Sequence, residues 1–335
     1  MENYKNVLSC SVSYRRNIKD MPFVKMLTDS EQAIGVTRSL SEIFGDDYEF
    51  RTLKNLPLST CKLLEEDNII TANLIENKDI SAYGKNYAGN AYLYINEQDH
   101  IRIKVVEKGY NLEKCYKLAN EIDDKILDKL EMAFSTTYGF LTSNPNLSGT
   151  GMEIEVVLFL PALTQNEKLA KIQKELLKDE YDFVSLDTNK LNTSCPFIKL
   201  KNKYTFGYKE NEFAENINRI VAKLCELENL EENTIFDFSA SHLVDKIFRA
   251  YGILKNAYRL EYNDAVSNLA LIQWGINLKV LKTKKQYDIL NILCKIKEEH
   301  LNENNNQNIK EIEKSRARFL TNLIETSITK GEVDV

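Results

Sequence analysis

The run Asn96-Glu97-Gln98-Asp99-His100-Ile101-Arg102 sets a carboxylate on each side of an amide and ends on an imidazole and a guanidinium. Carboxylates can orient a cation and accept its proton, whereas an amide cannot take the proton. An arginine supplies a fixed fork of donors that suits phosphate or carboxylate oxygens. Arginines recur in Leu8-Ser-Cys-Ser-Val-Ser-Tyr-Arg-Arg-Asn17, and a loop of small and hydroxyl residues follows at Tyr138-Gly-Phe-Leu-Thr-Ser-Asn-Pro145 with Gly149-Thr-Gly151. The histidines, His100, His242 and His300, are too few and too dispersed for a histidine-based metal centre, so no metal site is expected. Catalysis, if any, rests on carboxylates, arginines or thiols. The cysteines, at positions 10, 61, 115, 195, 225 and 294, include no Cys-x-x-Cys pair and read as reduced thiols.

These residues need a scaffold, and 335 residues with 43% hydrophobic content are enough for two domains. Residues 91–95 and 100–106 read as hairpin strands around a polar turn, which puts Glu97, Gln98 and Asp99 at a strand end. Apolar residues at spacings of three and four predict a helix from Leu112 to Phe134, and another over 167–177. Residues 152–160 read as a strand stopped by Pro161. A helix is expected over 212–227, and from about Asp237 the strand signal gives way to helices with apolar stripes. The polar stretch 301–308 reads as a mobile connection to a last helix. With 44 basic and 50 acidic residues, a net charge of -6 argues against coating nucleic acid or an anionic membrane. Nowhere do about 18 apolar residues run together, and the N-terminus has no export pattern, so a cytoplasmic protein is expected.

The run at 96–102, the loop at 138–145 and Gly149-Thr-Gly151 together resemble the ATP:guanido phosphotransferases, the phosphagen kinase family, and within it the McsB-type protein-arginine kinases. Leu160-Pro-Ala-Leu163, residues 197–207, Arg249-Ala-Tyr-Gly-Ile-Leu254 and Gly275-Ile-Asn-Leu278 extend the resemblance over nearly the whole chain. It implies an α+β catalytic domain over 1–232, with a largely antiparallel sheet flanked by helices. An all-helical C-terminal domain over 233–335 would follow, similar to the phosphoarginine- and protein-binding domain of that branch.

The reaction so implied, phosphoryl transfer from ATP to a guanidinium, needs Mg²⁺ and converging arginines against the phosphate charge, and carboxylates to orient the guanidinium and take its proton. Several positions depart from the family pattern. Gln98, between Glu97 and Asp99, stands where the proton-accepting glutamate belongs, and Asn144 where the loop cysteine does. Ser11 and Ser13 replace the first two arginines of a Ser-x-Arg-x-Arg-x-x-Arg stretch, and Glu153 and Phe183 fall at later arginines. Thr188 falls at the second substrate carboxylate. Arg16, Arg102 and His100 are retained as remnants of nucleotide binding. In the C-terminal domain the phosphoarginine-binding Arg-Asp-x-x-Arg-Ala reads Ile312-Glu313-Lys-Ser-Arg316-Ala317, which leaves Glu313 and Arg316 as candidates for that pocket.

The resemblance therefore implies a pseudokinase that keeps the fold, holds no cofactor and acts by binding. One alternative is an active kinase using ATP and Mg²⁺, with Glu97 or Asp99 as the base; another is a stress-response adaptor working through the helical domain. Expected partners are an active arginine kinase, its activator protein, the Clp unfoldase or phosphoarginine-bearing proteins, and a homodimer is compatible. Plainer roles stand beside these: salt-bridge partners for Arg16 and Arg102, a turn cap for His100, a buried thiol for Cys10 and a solvated position for Arg316.

Overall fold

The computed structural model describes residues 4–27, 30–177, 180–186, 190–207, 209–285, 287–302 and 308–331. The strands in chain order are β1 (Val7–Arg16), β2 (Tyr48–Thr52), β3 (Ala82–Asn86), β4 (Ala91–Ile95), β5 (Ile101–Lys108), β6 (Phe134–Ser135), β7 (Gly139–Phe140), β8 (Met152–Phe159), β9 (Tyr181–Ser185), β10 (Phe197–Asn202), β11 (Leu281–Thr283) and β12 (Ile328–Lys330). An eight-stranded sheet runs β2-β3-β4-β5-β1-β8-β10-β9, with every pairing antiparallel. The hairpin expected around residues 96–99 is β4–β5.

The helices are α1 (Ser30–Phe44), α2 (Leu58–Glu66), α3 (Ala72–Glu76), α4 (Leu112–Leu127), α5 (Pro161–Gln165), α6 (Leu169–Glu175), α7 (Glu210–Asn256), α8 (Tyr262–Asn277), α9 (Ile289–Lys295), α10 (Glu298–Leu301) and α11 (Ile309–Ser327). α4 buries Leu112, Cys115, Ala119, Ile122 and Ile126, the stripe its spacing predicts. It ends seven residues before Phe134, which is exposed and paired in the β6–β7 ribbon; the spacing runs on past the helix by coincidence.

Alternation along β1 divides its side chains between the two faces of the sheet. Cys10, Val12 and Tyr14 face a core formed with α1, α4, α6 and the first half of α7. Ser11, Ser13 and Arg15 face the other way. There α2 and α3 bury Cys61 and Leu74 against Tyr83 and Tyr94, and leave the middle of the sheet to polar side chains.

α7 crosses the expected 232/233 boundary unbroken, joining what reads in sequence as two helices. Its one non-helical residue is Ser239, whose hydroxyl donates to the Ile235 carbonyl at 3.1 Å, a side-chain bond that bends helices. The C-terminal core gathers Trp274, Leu269, Leu320 and Ile324 and continues into the sheet at Phe159 and Phe197, whose rings lie 5.0 Å apart. This region is helical but not all-helical, since β11 and β12 pair across it. Three-residue strands are too short to show alternation in sequence. A second contact joins α10 to α2, where the Glu66 carboxylate accepts from the Glu299 and His300 N–H groups at 3.1 Å each. Of the expected 301–308 connection, residues 303–307 lie outside the described residues, as does Thr188.

Candidate functional site

Cross-strand register collects the charged side chains on the polar face. Arg15 lies opposite Arg102, Ser13 between Lys104 and Glu153, and Ser11 opposite Glu155. Lys201 follows opposite Glu155. Ser11 and Ser13 thus occupy the face their alignment implies, but as small side chains with no charge.

Glu153 sits at the centre, 2% exposed. Its carboxylate meets Arg102 Nη2 at 2.8 Å, Lys201 Nζ at 2.9 Å and Arg15 Nη2 at 3.8 Å. Glu97 and Asp99, each 1% exposed, close the cluster from the β4–β5 turn. Arg15 Nη1 lies 3.3 Å from Glu97 and 3.4 Å from Asp99, and Arg102 Nη1 lies 3.3 Å from Glu97. Both reach the same Arg15 nitrogen, so Glu97 and Asp99 act together.

The carboxylates are held from behind as well. Thr71 Oγ1 donates to Glu97 at 2.6 Å, while Asn17 Nδ2 and the Ser143 N–H each donate to Asp99 at 2.7 Å. Burial pushes the Glu97 and Glu153 carboxyls up, but the neighbouring guanidiniums outweigh it and hold both below the usual carboxylate range. Arg102 is held above its ordinary value: burial opposes its charge, and Glu97 and Glu153 more than offset that. Three cations, Arg15, Arg102 and Lys201, face three carboxylates, Glu97, Asp99 and Glu153. As arranged, the set does not fit a nucleoside triphosphate, because Glu153 takes the donors that phosphate oxygens would need.

Arg16, expected as a nucleotide-binding remnant, is on the opposite face. It is 1% exposed, pairs with Asp123 of α4 at 2.6 Å, donates to the Arg15 and Thr150 carbonyls at 2.9 Å and lies over the Phe140 ring at 3.7 Å. Gly151 permits this approach. A Cβ there would meet both the Arg15 carbonyl oxygen and Arg16 Nη1 at 2.7 Å, and the residue has φ of +66°.

His100 is also structural. Its Nδ1 accepts from the Ile18 N–H at 3.0 Å and its Nε2 bonds the Pro22 carbonyl at 2.9 Å, which ties down the chain leaving β1; burial lowers its pKa. Phe183 faces the apolar core on β9, fully buried, so it does not stand where a phosphate-binding arginine would. On a strand, a shift of one residue turns a side chain to the other face. Gln98 is half-buried and takes part through its carbonyl, which accepts from Ser143 Oγ at 2.6 Å. Asn144 is exposed and caps the turn at Pro145–Leu147 through its side chain, 3.1 Å from the Asn146 N–H.

Two members of the cluster escaped the sequence reading. Arg15 was legible: with Ser11 and Ser13 on the site face, the next residue of the same parity is 15, not 16. Lys201 was not, since its place depends on the β8–β10 register.

In the helical domain Arg316 is 2% exposed, and its Nε and Nη1 donate to the Ile296 and Leu260 carbonyls at 2.7 and 3.0 Å. Glu313 pairs with Arg259 at 3.1 Å. Among the described residues no group of His, Cys, Asp or Glu is placed to hold a metal ion, and no helix is long and apolar enough to cross a membrane.

Sequence profiles agree with this architecture. That of the ATP:guanido phosphotransferase C-terminal catalytic domain matches residues 33–231, more than half of the chain. The chain belongs to the ATP:guanido phosphotransferase family. The profile of the protein-arginine kinase McsB C-terminal domain matches residues 240–332, which places the chain with the protein-arginine kinases of that family. It is 28% identical over 320 residues to the protein-arginine kinase of Clostridium acetobutylicum, covering 94% of each chain. To that of Clostridium tetani it is 27% identical over 84% of each. Among solved structures, the duplicated taurocyamine kinase of Schistosoma mansoni superposes with a TM-score of 0.62 at 19% identity; the match covers 77% of this chain and 40% of that longer one. A lombricine kinase superposes with a TM-score of 0.60 at 18% identity, covering 71% and 70%. These likenesses fix the fold as that of a phosphagen kinase.

Proposed function

We propose that this chain is a pseudokinase of the protein-arginine kinase branch, which keeps the fold and acts by binding protein partners. The observation that carries the reading is Glu153, buried among Arg102, Lys201 and Arg15. A buried carboxylate with three cationic neighbours is displaced by a triphosphate only at the cost of stranding its charge. Gln98 removes the base, and that loss alone costs roughly 10²- to 10⁴-fold in rate. Glu97 and Asp99, the candidate replacement bases, are both committed to Arg15. Between the two kinds of ligand considered for the helical domain, a protein surface is favoured over phosphoarginine, because Arg316 is 2% exposed and turns Nε and Nη1 to backbone carbonyls. Partners of the family's proteolytic machinery, an arginine kinase, its activator or the Clp unfoldase, are the ones to test, in the cytoplasm.

The test is a calorimetric titration with MgATP at millimolar concentration, run beside a phosphoryl-transfer assay on an arginine-rich protein. No heat of binding and no transfer above background are expected. Saturable nucleotide binding together with Mg²⁺-dependent arginine phosphorylation would overturn the proposal.

A further inference from the structure

We infer that Cys10 and Cys115 form a dithiol site that a peroxide converts to a disulfide, a covalent modification that ties the middle of the sheet to α4. The pair lies on the apolar face, away from the charged cluster, and does not depend on whether the chain is a kinase. The two sulfurs are 3.9 Å apart. Both side chains are at most 1% exposed, and both cysteines are free.

Their approach is set by the backbone on each side. Cys10 is held in the sheet opposite Glu107 of β5 and Val156 of β8. The chain leaving β5 stays beside β1, where the Gly109 N–H donates to the Leu8 carbonyl at 2.8 Å, and Gly109, with φ of +66°, turns it back over the sheet. α4 starts three residues later, and Cys115, one turn in, shares its buried stripe with Leu112 and Ala119. That stripe lands on Cys10, so that the Cys115 thiol reaches the Cys10 carbonyl at 3.6 Å as well as its sulfur.

The two sulfurs are not equivalent. Cys10 Sγ accepts from the Asn111 N–H at 3.2 Å, at the N-terminus of a 16-residue helix, where the N–H and the helix dipole both favour a thiolate. The Cys115 thiol lowers the Cys10 pKa against burial, while the same contact, with burial, raises that of Cys115. Cys10 is the nucleophile and Cys115 the resolving thiol. The Cys10 thiolate attacks a peroxide oxygen and breaks the O–O bond, giving a sulfenic acid and a hydroxide that takes up a proton as water. The Cys115 sulfur then attacks the sulfenic sulfur. The S–S bond forms, the S–O bond breaks, and the hydroxyl leaves with the Cys115 proton as a second water, so the thiols lose two electrons and the peroxide gains them. Closing 3.9 Å to the ~2.0 Å bond needs a shift of about 2 Å. The oxidant enters when the half-buried turn at 109–111 and the first turn of α4 open.

The test is peptide mapping of the full chain after millimolar hydrogen peroxide under native conditions, with free thiols then blocked by N-ethylmaleimide and the digest left unreduced. A pair of peptides joined through Cys10 and Cys115, lighter than its reduced halves by two hydrogens and split by dithiothreitol, should be the major form of Cys10. In Cys115→Ala the reaction should stop at the sulfenic acid, so that dimedone labels Cys10, whereas in Cys10→Ala dimedone should leave Cys115 unlabelled. If either variant fails to fold, the map of the parent decides alone. Absence of the link in the folded protein, a link formed only in urea, or Cys10 joined as often to another cysteine as to Cys115 would overturn the inference.

Discussion

Arg15 and Arg16 are neighbours in the chain, yet the sheet commits them to different electrostatic environments. Arg16 enters the apolar face, where Asp123 and two carbonyls accept from its terminal nitrogens beneath the Phe140 ring. Arg15 enters the polar face and joins a cluster in which three cations and three carboxylates share one another. The first arrangement is a local pair with neutral acceptors in reserve. The second is a shared network: Glu153 at its centre has charged groups as its partners, and only Glu97 and Asp99 have neutral donors besides, so removing Glu153 strands several charges at once.

The largest expected effect follows from that difference. Glu153→Ala leaves Arg102 and Lys201 facing an empty space, and should lower the free energy of unfolding by about 3–5 kcal/mol in urea denaturation. Asp123→Ala removes an equally close partner, but the Arg15 and Thr150 carbonyls and the Phe140 ring remain. A smaller loss of about 1–3 kcal/mol is expected. Equal losses would break the comparison, for they would mean that the cluster behaves as a sum of independent pairs.

Parity along β1 makes much of this legible in advance. The β4–β5 hairpin, the stripe on α4 and the strand before Pro161 all follow from local periodicity, and they position the turn at 97–99. Across strands the sequence is nearly silent. Nothing local distinguishes Lys201 from Lys199, and only pairing with β8 brings Lys201 to Glu153. At Phe183 the limit is a different one: alternation within β9 sets it with Tyr181 on the buried face and Asp182 on the other, but the place of β9 at the sheet edge beside β10 is not written in that pattern. α7 kinks at Ser239, close to Asp237, where the sequence reading begins its run of C-terminal helices.

Acid titration should separate the two faces again. Glu153 and Glu97 have folded pKa values below their unfolded ones, so their contribution is fully present above about pH 4.5 and is lost as pH falls toward the folded values. Asp123 runs in the opposite sense. Burial pushes its carboxyl above the ordinary 3.8 despite Arg16, so the stability linked to its shift is present below that value and lost as pH rises through the folded one. Between pH 5 and 3, Glu153→Gln should flatten the loss of stability seen in the parent, by up to about 1.4 kcal/mol per pH unit. Asp123→Asn should not. A flattening by Asp123→Asn instead would move the acid-sensitive group to the apolar face.

The smallest effect is expected at Gln98, although it is the position where the family places its base. Gln98 is half-buried and joins the structure through its main-chain carbonyl, so Gln98→Glu adds a carboxylate at the rim of the cluster without removing a contact. Its effect on stability should stay within about 0.5 kcal/mol, the usual range for a change that breaks no buried feature. Activity discriminates more sharply. If Glu153 and Arg15 close the site, the restored carboxylate meets neither nucleotide nor substrate, and phosphoryl transfer from ATP to arginine stays at background. If the polar face were merely a kinase lacking its base, the same change should raise transfer by the roughly 10²- to 10⁴-fold that a positioned base supplies. A gain of that size would show the arginines to be available to phosphate in solution and would make the ion cluster a resting arrangement of a working site.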